Sequence, residues 1–247
     1  AAGSPHTAVD RVTKVLEFVG DGVSGSDVAV FVAADEACGD AIANVTSLAA
    51  AGFALPQPVS TARTAAFTFT FGEEHGRLPP SQPLELCYMF GMSSLVRYPG
   101  ITLTVKSLQS LQSTRGVGSD VAVVTLQEQF TLAGVGMASG DAAFWVAGET
   151  CDVPKAQQHG VSGSGDGVVS RVDDQFTATF TFSGAAVGSL RYCLCYAFGT
   201  EPVTLYKGIT MEVKELRGVG AVSQGSTSVV VADVPKTLVL DGDGVGD

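Results

Sequence analysis

The hexapeptide LCYMFG (Leu86–Gly91) returns as LCYAFG (Leu194–Gly199), 108 residues further along the chain. Five of its six letters are unchanged, and the agreement extends outward. YPGITLTVKSL (Tyr98–Leu108) returns as YKGITMEVKEL (Tyr206–Leu216). Upstream, FTFTF (Phe67–Phe71) answers FTATFTF (Phe176–Phe182), and FVAADEAC (Phe31–Cys38) answers FWVAGETC (Phe144–Cys151). The four pairs run in the same order in both halves. The chain therefore carries two copies of one module of about 110 residues. The reading places one β-sandwich repeat at residues 1–114 and a second at 115–222, with the boundary in STRGVGSD (Ser113–Asp120).

The remaining residues, 223–247, are either the first strand of a truncated third repeat or a linker tail. PKTLVLDGDGVGD (Pro235–Asp247) resembles TKVLEFVGDGVSGSD (Thr13–Asp27). Phe18, Phe130 and Leu238 each precede a glycine by four positions, and they are spaced by 112 and then 108 residues. That spacing favours the third repeat.

Period-two alternation marks strands. Phe176, Ala178, Phe180 and Phe182 share one face, against Thr177, Thr179 and Thr181. Leu84, Leu86, Tyr88 and Phe90 line one face of another strand, and Ile209, Met211 and Val213 one face of a third. Threonine and aromatic residues suit a pleated, half-buried surface. A single helical turn is expected only within Cys38–Gly52. About seven strands per copy, separated by Gly, Pro, Ser and Asp, imply an all-β protein of two tandem antiparallel immunoglobulin-like β-sandwiches.

The repeat also pairs the cysteines. Cys38 corresponds to Cys151 and Cys87 to Cys195, so Cys38–Cys87 and Cys151–Cys195 are the expected disulfides. Such bonds imply an oxidising compartment. Large apolar residues flank Cys87 at Leu86 and Tyr88, so its bridge should lie on the face turned away from the main core. Cys193 has no counterpart, because Glu85 stands there in the first copy. It is either a free thiol or a bond to another chain. Asn44, the chain's only asparagine, lies in Asn44-Val45-Thr46, a glycosylation acceptor that fits a secreted or cell-surface protein.

The formal net charge of −11 argues against nucleic acid and anionic membrane surfaces as partners. No segment approaches the roughly 20 continuous apolar residues of a membrane span. The opening AAGSPHTA has neither Met nor a signal segment, which fits a mature secreted product or an excerpt of a longer one. His6, His75 and His159 lack metal-ligand spacing, and no catalytic motif is present, so no enzyme is expected. Glu73, Glu74 and His75 read as a solvated hairpin tip. Asp241, Asp243 and Asp247 alternate as in some calcium loops, but no EF-hand glutamate follows; calcium is the one cofactor to consider. Trp145 is matched here to Val32, on the face opposite Phe144, and a place in the core or covering the sandwich is read ahead of contact with a ligand such as a sugar or protein.

The phrase L-C-Y-x-F-G followed by Y-x-G-I-T-hydrophobic-x-V resembles tandem immunoglobulin-like repeats of long extracellular proteins from algae and other protists. Some of those proteins build flagellar hairs (mastigonemes). The resemblance implies a non-catalytic structural or adhesive protein of the cell surface or extracellular space. Its modules would pack into a larger assembly or filament, with other copies of itself or other extracellular structural proteins as partners. The alternative is a carbohydrate- or protein-binding module of a larger secreted protein.

Overall fold

The computed structural model describes residues 6–39, 55–61, 64–71, 82–114, 120–154, 161–163, 167–183, 191–221 and 235–243. Asn44, His75, His159, Asp247 and most of the expected helical turn lie outside them. Among the described residues every complete element is a strand, and Cys38–Gly39 and Val153–Pro154 have helical backbone. Two compact units emerge. Unit 1 holds Ala1–Gln109 with Gly134–Met137 and Thr200–Thr204; unit 2 holds Ser110–Ala133, Ala138–Gly199 and Leu205–Asp247.

Unit 1 is built from β1 (His6–Val9), β2 (Lys14–Val19), β3 (Val28–Val32), β4 (Leu55–Thr61), β5 (Thr64–Phe69), β6 (Leu84–Met89) and most of β7 (Val96–Ser113), whose residues from Ser110 onward belong to unit 2. β3, β6 and β7 form one antiparallel sheet, and β2, β5 and β4 form a second. The alternating residues of β5 and β6 make the sandwich. Ala65, Phe67 and Phe69 of β5 meet Ala29, Phe31, Leu86 and Tyr88 of the opposing sheet in one buried cluster, with Leu16 and Phe18 of β2 packed against it. The rings interlock edge-on, as at Phe18–Phe67 and Phe31–Phe69. Edge-to-face contacts of this kind add about 0.5–1.5 kcal/mol each beyond area burial.

Unit 2 repeats the plan with β8 (Val121–Val123), β9 (Gln127–Val135), β10 (Ala142–Ala147), β11 (Val161–Gly163), β12 (Ser170–Arg171), β13 (Thr177–Phe182), β14 (Tyr192–Ala197) and β15 (Thr204–Ala221). β11, β13 and β9 form one sheet; β12, β10, β14 and β15 form the other. Phe130 and Phe180 face Trp145 across the core, and Phe182 faces Tyr192. Both units are antiparallel β-sandwiches of the immunoglobulin-like kind.

Three details depart from the alternation pattern. The first strand of each unit joins its sheet in parallel: β1 runs beside β7 from His6↔Leu103 to Val9↔Lys106, and β8 beside β15 from Glu212↔Val121 to Lys214↔Val123. A parallel pair needs a long crossover, and here nearly a whole module supplies it. Phe90 lies past the end of β6, half-exposed, with its ring on Tyr88. Phe176 likewise precedes β13 and takes a left-handed conformation at φ 56°, half-exposed. There the Asp173 carboxylate accepts from the backbone N–H groups of Gln175 and Thr177, and this turn aims Phe176 away from its expected face.

The last element is β16 (Leu238–Asp243), antiparallel to the tail of β15 from Glu215↔Asp243 to Ala221↔Leu238.

Candidate functional site

The repeated hexapeptide places three groups with three separate tasks. Leu86 and Leu194 enter the cores. Cys87 and Cys195 face the other way. Cys87 bonds Cys38 and sits with Val30, Val32 and Leu95 in a small cluster separate from the main core. Cys195 bonds Cys151 beside Phe144 and Val146. The bridges enclose sequence separations of 49 and 44 residues.

Tyr88 and Tyr196 form a lock that sequence reasoning missed. The Tyr88 hydroxyl donates to Asp27 Oδ2 at 2.6 Å, while the backbone N–H of Gly91 donates to Oδ1 at 2.8 Å and that of Ser24 to Oδ2 at 2.7 Å. In unit 2, Tyr196 donates to Asp141 Oδ2 at 2.8 Å, Gly199 N–H to Oδ1 at 2.7 Å and Ala138 N–H to Oδ2 at 2.9 Å. Both glycines have positive φ, 54° and 60°, which L side chains rarely adopt. The lock thus explains the Tyr and the Gly of the phrase together. Burial alone would raise the Asp27 carboxyl, but the Tyr88, Ser24 and Gly91 hydrogen bonds outweigh it and hold the group below its ordinary value. Burial, followed by the aspartate contact, pushes both tyrosines well above the ordinary phenol range. The signal in the sequence is an aspartate just before each aromatic strand, in SGSD (Ser24–Asp27) and ASGD (Ala138–Asp141).

Trp145 lies in the core, and the structure corrects only the face and the counterpart assigned to it. It is fully buried, 0% exposed, between Phe130 and Phe180. Trp145 lies opposite Leu194 as Phe31 lies opposite Leu86, so its counterpart is Phe31 rather than Val32. One residue fewer separates it from its cysteine, which put the letter match out of register. A side chain in the core presents nothing to a sugar, and its indole N–H finds no acceptor among the described residues.

Cys193 is half-buried with a free thiol. Its counterpart Glu85 pairs with Arg97 at 3.2 Å, and Arg97 also donates to the carbonyls of Ala34 and Glu36 in the segment leading to Cys38. In unit 2 this ion pair becomes Cys193 and Leu205. Burial raises the Cys193 thiol above its ordinary value, against the pull of Lys207 and Arg191.

Asp241 and Asp243 lie on β16, and the Asp243 carboxylate pairs with Arg217. No group of three metal-ligating side chains occurs among the described residues.

Unit 1 has one further feature. A groove of about 680 Å³ lies along β2, with Leu16, Phe18, Tyr98 and Ile101 among its lining residues. Val15 and Val19 stand 60% and 75% exposed on β2 itself.

No protein-family model and no curated protein matches the chain. Solved structures resembling it include the full ectodomain (Ig1–Ig3) of mouse nectin-like molecule 4, at TM-score 0.27 and 12% identity over 97% of this chain and 77% of that one. The Ig1–Ig2 pair of DIP-gamma matches at TM-score 0.27 and 8% identity, over 85% and 93%. The I9–I11 tandem of titin matches at TM-score 0.28 and 12% identity, over 89% and 65%. These are similarities of architecture at low overlap, and the fold assignment stands on the chain's own paired sheets and shared cores.

Proposed function

We propose that the chain is a non-catalytic structural or adhesive protein of the extracellular space or cell surface, whose modules act in series as spacers and contact surfaces. One observation carries the reading. Each unit invests the same strand in a disulfide and an Asp–Tyr–Gly lock, so the repeated chemistry holds the module together rather than opening onto a substrate. Stable disulfides support an oxidising, extracellular setting. Stacked repeats suit spacing and interaction. Lateral contacts, with or without a Cys193 bond, would join neighbouring chains, and other copies or other extracellular structural proteins are the expected partners. Glycosylation at Asn44 fits the same setting.

Of the alternative, a carbohydrate- or protein-binding module of a larger secreted protein, the carbohydrate reading loses Trp145 as its contact residue to the core. Calcium between modules has no support beyond the alternating aspartates. Imaging native particles by electron microscopy, with sedimentation velocity, tests the reading. Elongated particles or fibres agree with it. A compact monomer that binds glycans saturably on an array contradicts it.

A further inference from the structure

We propose that Cys193 is an exchange partner for the Cys151–Cys195 disulfide: the bridge of unit 2 migrates along β14 to become Cys151–Cys193, while the bridge of unit 1 stays fixed.

Three cysteines meet on one face of one sheet. Tyr192, Leu194 and Tyr196 of β14 are fully buried on the core side. Cys193 and Cys195 alternate with them, so both face outward, about 6.8 Å apart along the strand. Cys193 lies opposite Val146, and Cys195 opposite Phe144. β10 ends at Ala147, opposite Tyr192, and the chain returns over the outer face to bring Cys151 onto Cys195, beside Phe144 and Val146. The register therefore puts Cys193 between the place where the returning segment starts and the cysteine where it is tied. Glu149, two residues before Cys151, acts electrostatically on the Cys193 thiol.

The same segment is pinned in unit 1. Arg97 pairs with Glu85 and donates to the carbonyl of Ala34 at 2.6 Å and to that of Glu36, two residues before Cys38. Unit 2 has Leu205 in place of the arginine and Cys193 in place of the glutamate. The pin is thus lost where a nucleophile appears. Gly148, Glu149 and Thr150 are exposed, and a segment that buries so little opens locally at small cost.

The exchange is balanced. The Cys193 thiolate attacks Cys151 Sγ, the Cys151–Cys193 bond forms as the Cys151–Cys195 bond breaks, and Cys195 leaves as a thiolate that takes up the proton Cys193 gave to water. One disulfide and one thiol remain, and neither oxidant nor reductant is consumed. Burial raises the Cys193 thiol and Glu149 adds to it, against Lys207 and Arg191, so exchange is slow at neutral pH and quickens as the thiolate forms. The device gives the returning segment of unit 2 two covalent registers, and it moves the free thiol between half-buried Cys193 and fully buried Cys195.

The test maps disulfides in the oxidised full chain held without reductant at about pH 7 and about pH 9, beside the Cys193→Ser variant. Samples are acidified, unfolded, capped with N-ethylmaleimide and digested for mass spectrometry. The expected result is a Cys151–Cys193 peptide with capped Cys195, accumulating about tenfold or more faster at the higher pH. Cys38–Cys87 stays intact in the same samples, and capped Cys195 is absent from the variant. Cys151–Cys195 as the sole bridge of unit 2 at every time overturns the proposal. So does a bridge joining Cys38 or Cys87 to a cysteine of unit 2, which marks scrambling of an unfolded chain.

Discussion

The Tyr88 hydroxyl reaches the Asp27 carboxylate across 61 residues of sequence, and Tyr196 reaches Asp141 across 55. Each bond ties the end of one core strand to the turn that opens another. Both partners are buried, so removing one leaves the other short of a hydrogen bond.

Tyr88→Phe and Tyr196→Phe should therefore each destabilise their own module by about 1–3 kcal/mol, the usual cost of orphaning a buried polar group. Urea unfolding curves measure this. Gly91→Ala and Gly199→Ala should cost about 1–2 kcal/mol each, because alanine resists the left-handed backbone at those positions. A neutral result for Tyr88→Phe would show that the lock contributes nothing to stability.

The lock also sets a pH dependence. The folded Asp27 carboxyl lies below its unfolded value, so its contribution is complete above about pH 4 and is lost as pH falls through the folded value. The tyrosines shift the other way. Their contribution is complete below about pH 10 and declines as pH rises towards their raised folded values. Stability measured against pH should form a plateau with an acid shoulder and an alkaline one. In Tyr88→Phe the acid shoulder should shrink, since Asp27 loses one of the bonds that lower it.

Trp145 offers a spectroscopic check, being the chain's only tryptophan. Its emission should be blue-shifted and poorly quenched by iodide. Trp145→Ala should cost about 3–5 kcal/mol. Trp145→Phe should cost far less, because Phe31 fills the same place in unit 1 and the indole N–H gains no partner. An exposed, readily quenched tryptophan would contradict the core assignment.

Cys193 should react slowly with a thiol reagent at neutral pH and speed up only above the ordinary thiol range, since burial raises its pKa. Rapid labelling at pH 7 would contradict the half-buried position beside Val146.

The sandwiches were legible because strand faces follow from local alternation. Phe180 and Phe182, or Leu84, Leu86 and Tyr88, share the faces that alternation gives them, and all five are buried. The repeat supplied a pairing of cysteines that spacing alone cannot give. Less legible was anything joined across many residues without a periodic signal. Asp27 and Asp141 look like ordinary turn residues until Tyr88 and Tyr196 arrive beside them. Trp145 was misplaced for a related reason. Matching Phe144 to Phe31 by letter hid a one-residue contraction before Cys151, and in a strand one residue exchanges the two faces. The ends of the alternating runs misled too, since Phe90 and Phe176 lie just outside their strands.

Each disulfide closes a loop of some 45–50 residues, worth about 4 kcal/mol in the chain-entropy model. Reduction should therefore lower the melting temperature of both modules, and replacing Cys38 and Cys87 together by alanine should lower that of the first alone.

Peptide mapping by mass spectrometry, on protein taken from its native setting with thiols blocked and no reductant, tests the duplicated, covalently sealed module most directly. The account predicts Cys38–Cys87 and Cys151–Cys195 bridges, with Cys193 either alkylated or joined to another chain. Recovery of all five cysteines as thiols, or of a bridge between the two modules, would contradict it.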